Sequence, residues 1–262
     1  LPDIYPEVDR MINILLNGCN GKMGQNIVQC ARFRNDLCIV AGLDVSPNGI
    51  SPFPVYTDPG QIREKIDLII DFSHPTALDR ILGYALEKKL PIVIATTGFS
   101  PEQKEKIEKA GSEIPVLLSA NMSLGINLLI QLVKTAAKTL YGSFDIEIIE
   151  KHHNQKVDAP SGTALAIADA INAAIAPNQL KYVYDRHSSN QKRTRDEIGI
   201  HAIRGGTITG EHTVLFAGND EILEIRHTSL SRRLFAEGAL KAATFLYGKP
   251  PGFYRMQDIF EE

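Results

Sequence analysis

The 262-residue chain lacks most of what marks a secreted, membrane-bound or nucleic-acid-binding protein. Its three cysteines, Cys19, Cys30 and Cys38, are an odd number gathered near one end without a Cys-x-x-Cys spacing. That excludes a disulfide framework or a cysteine metal set and predicts reduced thiols that mostly pack, with Cys19 near a bound cofactor. No His-x-x-x-His pair occurs either, so no metal is expected. No apolar run approaches the length of a membrane span, and no leader of basic, apolar and small residues opens the chain. Lys plus Arg number 28 against 31 Asp plus Glu, a net charge of −3 that gives neither nucleic acid nor an anionic membrane as a partner. Repeats, low-complexity segments and Gly/Ser linkers are absent too, so any hinge must be short, near Ser123 and near Ser231. What remains is a cytoplasmic globular chain, 44% hydrophobic and long enough for two modest domains.

Against that plain background, residues 147–164 read Glu-Ile-Ile-Glu-Lys-His-His-Asn-Gln-Lys-Val-Asp-Ala-Pro-Ser-Gly-Thr-Ala. Two histidines, a lysine and a Ser-Gly-Thr turn lie between an apolar strand and a helix. A histidine such as His152 changes protonation near neutral pH, and Lys156 is a cation that gives up a proton when desolvated. Ser161, Gly162 and Thr163 offer backbone N–H groups at a predicted helix N-terminus, where a carboxylate or phosphate is well received. Together they describe a site that protonates an anionic small molecule.

A second pattern lies near the start. Met11 to Asn17 is apolar, Gly18-Cys-Asn-Gly21-Lys-Met-Gly24 follows, and Ile27, Val28 and Ala31 share a helical face. Strand, glycine turn and helix in that order suit a pyrophosphate at the helix N-terminus, and Asp44, closing the run Leu37 to Leu43, stands where a ribose-binding acid is expected. The spacing is G-x-x-G-x-x-G, with Asn20 where a second glycine is usual; asparagine tolerates the left-handed backbone region better than most residues.

Strands and helices alternate through the first half. Apolar runs at residues 66–72, 92–96 and 116–119 are separated by helical stretches at 75–88 and 101–110, the latter opened by a capping box of Ser100 and Gln103 with Pro101 between. This predicts a parallel, doubly wound sheet with ligands beyond the carboxyl ends of its strands, where 71–75, 95–98 and 119–123 begin. A helix over 124–141, a strand over 145–150 and a helix over 163–176 follow. Three strands without helices between them come next, at 199–204, 211–216 and 222–228, the last two joined by a hairpin, so the second sheet is antiparallel or mixed. A helix over 232–247 ends the pattern. His74, His187, His201, His212 and His227 are read as structural, Arg186, His187, Lys192, Arg193 and Arg195 as a solvated loop, and Arg233 as exposed.

The 147–164 stretch resembles the hallmark of the dihydrodipicolinate reductase family, E-x-x-E-x-H-H-x-x-K-x-D-A-P-S-G-T-A. Gly21-Lys-Met-Gly24, Asp71-Phe-Ser-His-Pro75, Thr96-Thr-Gly-Phe99, Ser119-Ala-Asn-Met-Ser123, Gly210-Glu-His-Thr213 and Ser231-Arg232 occur in the family's order, so the resemblance covers about Met11 to Phe260. Leu1 to Arg10 fall outside it, as an extension ahead of a start at Met11. The resemblance implies an α/β fold with a Rossmann-type doubly wound parallel sheet domain, residues 11–123, completed by the C-terminal segment 233–262. It also implies a smaller α+β substrate and oligomerisation domain with a mixed sheet, residues 124–232, whose sheets pack as a homotetramer.

The implied reaction is reduction of the cyclic diacid 4-hydroxy-tetrahydrodipicolinate to tetrahydrodipicolinate by NADH or NADPH, in lysine and diaminopimelate biosynthesis. His152 donates the proton with Lys156 beside it, and His153, Ser161, Gly162, Thr163 and Arg232 bind the substrate. The cofactor rests on Gly18, Cys19, Asn20, Gly21, Lys22, Met23, Asp44, Phe72, Ala95, Thr96, Thr97, Ser119, Ala120, Asn121 and Met122. Because Asp44 is followed by Val45 rather than an arginine, NADH is preferred, with Lys22 the one nearby cation that keeps NADPH possible. The rival expectations are an amino-acid or semialdehyde dehydrogenase of the same architecture and a dinucleotide-sensing regulator without turnover.

Overall fold

The computed structural model describes residues 11–49, 51–188 and 190–260; the extension ahead of Met11 lies outside them. The chain forms β1 (Ile12–Asn17), α1 (Lys22–Ala31), β2 (Leu37–Leu43), β3 (Val55–Tyr56), β4 (Leu68–Asp71), α2 (Leu78–Lys88), β5 (Ile92–Ile94), α3 (Pro101–Ala110) and β6 (Pro115–Leu118). After these come α4 (Leu124–Leu140), β7 (Asp145–His152), α5 (Gly162–Ala174), β8 (Lys181–Val183), β9 (Glu197–Arg204), β10 (Gly210–Ala217), β11 (Ile222–Ser229), α6 (Arg233–Leu246) and β12 (Gly252–Tyr254). Two units result, one running to Leu124 and resuming at Arg232, the other Gly125–Ser231.

The first unit is built on a seven-stranded sheet in the order β12-β6-β5-β4-β1-β2-β3, every pairing parallel. Strands buried on both faces need apolar residues of both parities, which is why they read as continuous hydrophobic runs. Ile12, Ile14 and Leu16 of β1 face the core beneath α1 and α6, while Leu15 faces the core beneath α2 and α3. The doubly wound sheet expected from the alternation is therefore present. Ser100 accepts from the Gln103 amide and Gln103 returns the bond to the Ser100 amide, closing the capping box of α3.

Two short strands escaped the sequence reading. β3 has two residues and β12 three, and β12 lies just after Pro250-Pro251, where the pattern had ended. α1 starts at Lys22, whereas the sequence pattern places its start after the glycine turn, at Gln25, because the turn runs directly into the first helical turn.

The second unit carries a five-stranded mixed sheet in the order β11-β10-β7-β9-β8. β10 is antiparallel to both β7 and β11, whereas β9 is parallel to β7 and to β8, a strand with no clear sequence signal. α4 and α5 cover one face, burying Leu129, Val133, Ile167 and Ile171 against Ile146, Ile148, Ile198, Ile200, Val214 and Phe216. Alternate residues of β7 thus point into this core, and Glu150 and His152 fall on the same side as Ile146 and Ile148. β7 also runs two residues beyond its expected end, so His152 closes a strand instead of opening a loop.

α6 is held against the loop after β6 by close backbone approach. A Cβ at Gly238 would stand 1.7 Å from the Met122 carbonyl oxygen, whereas one at Gly83, inside α2, meets nothing within 4 Å. Gly238→Ala should therefore destabilise by about 1–3 kcal/mol through overpacking, and Gly83→Ala should stabilise by about 0.4–1 kcal/mol through helix propensity. Denaturant midpoints of the two variants check this pair; equal shifts would contradict the packing of α6.

Candidate active site

The strand ends of the first unit carry the sequence-predicted cofactor residues. Gly18 to Met23 form the turn from β1 into α1, Asp44 follows β2, Phe72 follows β4, Ala95 to Thr97 follow β5, and Ser119 to Met122 follow β6. All therefore lie at the carboxyl edge of one parallel sheet, the edge at which such folds bind ligands. Gly18 has φ +81°, and a Cβ on Gly24 would lie 2.3 Å from the Gly18 carbonyl oxygen, so the turn cannot close with side chains at either position. Gly21 is the N-cap of α1 and supplies no side-chain cap, leaving that helix end suited to a phosphate.

Asn20 does not use the left-handed region that was to explain it; among the described residues only Lys89 and Asn190 do so without being glycine. It is a clamp instead. Its side chain donates to the Ser46 carbonyl at 2.8 Å and its amide to Asp44 at 2.9 Å, while the other Asp44 oxygen accepts from the Val45 amide at 2.8 Å. The residue in the second-glycine position thus ties the turn to the ribose-side acid. Burial, with Asp44 nearby, pushes the Cys19 thiol up to about 11, which keeps it protonated beside the turn.

Beneath these loops sits a polar hub that sequence reading missed. Asp71, 1% exposed, accepts from Asn17 at 2.7 Å, from Ser73 Oγ at 2.6 Å and from Thr96 Oγ1 at 2.7 Å, and Thr96 accepts from the Ser73 amide. It joins the ends of β1, β4 and β5. Burial pushes the carboxyl up, opposed by these donors.

The second unit holds a tighter cluster. Glu150 is fully buried and takes Arg204 in a two-point clamp, Nη1 to Oε2 at 2.8 Å and Nη2 to Oε1 at 2.7 Å. Oε2 also meets His152 Nδ1 at 2.6 Å, and Oε1 accepts the Ser161 amide at 3.0 Å. Desolvation alone would raise this carboxyl, but Arg204, His152 and the Ser161 amide outweigh it and hold Glu150 below its ordinary range. Ser161 Oγ caps α5 by accepting from the Ala164 amide and lies 3.1 Å from His212 Nε2. The rings of His152 and His212 meet edge to face at 5.3 Å.

Several expectations change. Ser161 is buried, with its amide bound to Glu150 and its hydroxyl to α5 and His212, so it shapes the turn. Gly162 is exposed, with open space where a Cβ would project, and Thr163 follows at the first turn of α5. Lys156 pairs with Asp158 at 2.8 Å, and the same carboxylate takes the Gly162 amide; His153 accepts the Lys156 amide on its carbonyl. Arg232 is exposed at the N-cap of α6, in the first unit.

His212 is no ordinary core histidine, since it joins the ring of His152 to the cap of α5. The basic loop is not simply solvated either. Arg186 and Arg193 converge on Glu147, which also accepts His201 at 2.8 Å, so the loop is pinned to β7 by ion pairs. Glu150 and Arg204 went unread, although for Glu150 the signal was available. Glu150 lies two residues before His152, on the same face of a strand.

A doubly wound parallel sheet opened by a glycine turn, in one chain with a proton-active cluster on a mixed sheet, defines a dinucleotide-dependent oxidoreductase. Family models described as the N-terminus and C-terminus of dihydrodipicolinate reductase match residues 12–122 and 125–260. The chain belongs to that family, whose cofactor is a nicotinamide dinucleotide.

It is 52% identical to the 4-hydroxy-tetrahydrodipicolinate reductases of Clostridium tetani, over 95% of this chain and 97% of that one, and of Caldanaerobacter subterraneus subsp. tengcongensis, over 96% and 99%. Among solved structures, a dipicolinate-bound dihydrodipicolinate reductase from Paenisporosarcina sp. TG-14 superposes with a TM-score of 0.81 at 26% identity, covering 94% of this chain and 98% of that one. No helix among the described residues is long and apolar enough to cross a membrane, and no group of metal-ligating side chains occurs among them.

The His212 environment has a measurable consequence. Burial, with His152 next to it, pushes His212 down to about 4 from an ordinary 6.5. Between those values the unfolded chain binds a proton that the native protein refuses, so stability rises with pH there and is lost as pH falls from 6.5 toward 4. The loss is roughly 3 kcal/mol at most. His212→Gln should flatten that slope in urea titrations at successive pH values while leaving the carboxylate-driven fall at lower pH. An unchanged slope would mean that His212 is not the group refusing the proton.

Proposed function

We propose that this protein reduces 4-hydroxy-tetrahydrodipicolinate to tetrahydrodipicolinate, with loss of water, in lysine and diaminopimelate biosynthesis. The observation that carries the reading is 52% identity over nearly the full chain to enzymes of that name, with the 147–164 hallmark intact. The glycine turn, the bare N-terminus of α1 and Asp44 would hold a nicotinamide dinucleotide, which supplies hydride when bound. The rest falls to the protein. Hydride addition to a conjugated imine leaves electron density on the ring, so a proton donor and groups for the two carboxylates must stand ready.

His152 is the proton donor in this proposal. Its Nδ1 side is engaged by Glu150, which leaves Nε2 for the substrate. Lys156 and the Gly162 amide exchange Asp158 for a substrate carboxylate, with Thr163 and His153 beside them to receive the diacid. Among other proteins of related fold, a Corynebacterium glutamicum diaminopimelate dehydrogenase shares a TM-score of 0.58 at 11% identity, a likeness of fold alone. The homotetramer implied by the family belongs to the same proposal, as does action in the cytoplasm. Supporting the tetramer, the face of the mixed sheet bearing Ile149 and Leu215 is not the one covered by α4 and α5.

A coupled assay that generates the unstable substrate from pyruvate and aspartate semialdehyde, while following nicotinamide absorbance, tests the reaction. No consumption would favour a sensor, and consumption only with ketoacids and ammonia a dehydrogenase. In that assay His152→Gln should lower kcat on the order of a hundredfold while cofactor affinity stays nearly constant. A variant with near-normal kcat would remove His152 from proton transfer.

NADH is the preferred cofactor in this reading. Asp44, held by the Asn20 and Val45 amides, suits ribose hydroxyls and repels a phosphate in their place. The ratio of kcat/KM with NADH and NADPH at low ionic strength checks it, and Val45→Arg should move that ratio toward NADPH. A wild type that favours NADPH would shift the role to Lys22.

A further inference from the structure

We propose that Glu150, clamped by Arg204, is a positioning residue for the reaction: it fixes which nitrogen of His152 carries the delivered proton and ties that ring to the turn that starts α5. The proposal rests on the functional reading above and adds a residue to it. Glu150 makes more bonds than an ion pair needs. Arg204 alone supplies two donors at 2.7 and 2.8 Å, yet the same two oxygens also take His152 Nδ1 and the Ser161 amide, one from each half of the hallmark. Removing the carboxylate therefore loosens both halves together.

The geometry defines the ring. Glu150 is an acceptor while ionised, so His152 turns a protonated Nδ1 toward it, and Nε2 is the nitrogen left to give or take a proton. Nε2 lies against β10 at Gly210, where a Cβ would come within 3.1 Å. Arg204 is fixed in turn. It stands opposite His152 in the parallel β7–β9 register, and its Nη2 also donates to the Asp158 carbonyl at 2.6 Å, reaching the loop that carries Lys156. The ring of His152 meets that of His212 from β10, and the charges acting on His212 include His227 opposite it on β11 and Lys156, which pairs with Asp158 in the loop. None of these touches Nδ1. A carboxylate there both orients the imidazole and stabilises its cation, the form that holds a proton for delivery.

Glu150→Gln separates this from a merely structural role. The amide would donate to Nδ1, so the neutral ring would carry its proton on Nε2 and the cationic ring would lose its partner. The expected result is a fall in kcat on the order of a hundredfold, with cofactor affinity unchanged. In a His152→Ala background the same substitution should cost almost nothing further in kcat, because the ring through which it acts on proton transfer is gone, and what remains should fall on KM through the Ser161 turn. Nitrogen NMR of the substrate-free protein should find the neutral His152 ring protonated on Nδ1 in the wild type and on Nε2 in the variant.

Arg204→Lys, which keeps the charge but gives up the two-point clamp, should lower kcat about tenfold with the Nδ1 tautomer weakened, and it serves if Glu150→Gln does not fold. Equal losses in both backgrounds, or a wild-type ring protonated on Nε2, would overturn the proposal. A wild type with the Nδ1 tautomer but no turnover of the diacid would overturn the functional reading and leave the positioning of His152 standing.

Discussion

A fully buried carboxylate has to be answered from every side, and in this protein Glu150 is that carboxylate. Stripping it of water costs several kcal/mol, and the cost is met only if strong donors arrive at fixed positions. Those positions dictate the architecture around it. β9 must run parallel to β7 so that Arg204 comes level with His152, and α5 must begin at Ser161 so that its first amide reaches Oε1. The loop between His153 and Ser161 must then return to the sheet within a few residues, where Arg204 holds the Asp158 carbonyl. The mixed character of the sheet follows from this more than from any strand propensity. An antiparallel β9 would lose the guanidinium.

The first unit solves the same problem with opposite chemistry. Asp71 is as deeply buried, but its donors are an amide and two hydroxyls, with no cation among them. Burial therefore wins and its carboxyl is raised, whereas the guanidinium and histidine around Glu150 win and lower it. The difference has a use. Neutral donors fix the ends of β1, β4 and β5 without adding a cation to them. On the mixed sheet, an ionised Glu150 is what a histidine needs in order to hold a proton.

How much of this was legible depends on the kind of signal. The doubly wound sheet could be read because strands buried on both faces leave long apolar runs, and the capping box at Ser100 because its residues are three apart. β3, β8 and β12 were not, since two or three residues cannot show a period and their pairing is decided by neighbours far along the chain. His152 and Lys156 could be picked out as candidates from one short stretch, but the guanidinium that clamps Glu150 could not. Arg204 lies 54 positions from Glu150 and meets it only through strand register. Glu150 itself was within reach, because residues two apart on a strand share a face, and an acid two places before a candidate proton donor is a testable pair.

Asn20 and Ser161 carry the wider lesson about motifs. Each occupies a position where a residue was expected to meet a ligand or tolerate an unusual backbone, and each is spent on the protein's own polar groups. Asn20 joins the glycine turn to Asp44 and Ser46; Ser161 joins β7, α5 and His212. Such residues hold still the backbone beside them. Positional precision of about half an ångström comes from supporting hydrogen bonds, not from the contacting residue alone. The backbone of Gly162, which has no side chain to anchor it, is steadied on one side by the Ser161 cap and faces the Asp158 carboxylate on the other. A turn built this way is specified by its buried scaffold, which decides where its exposed backbone stands.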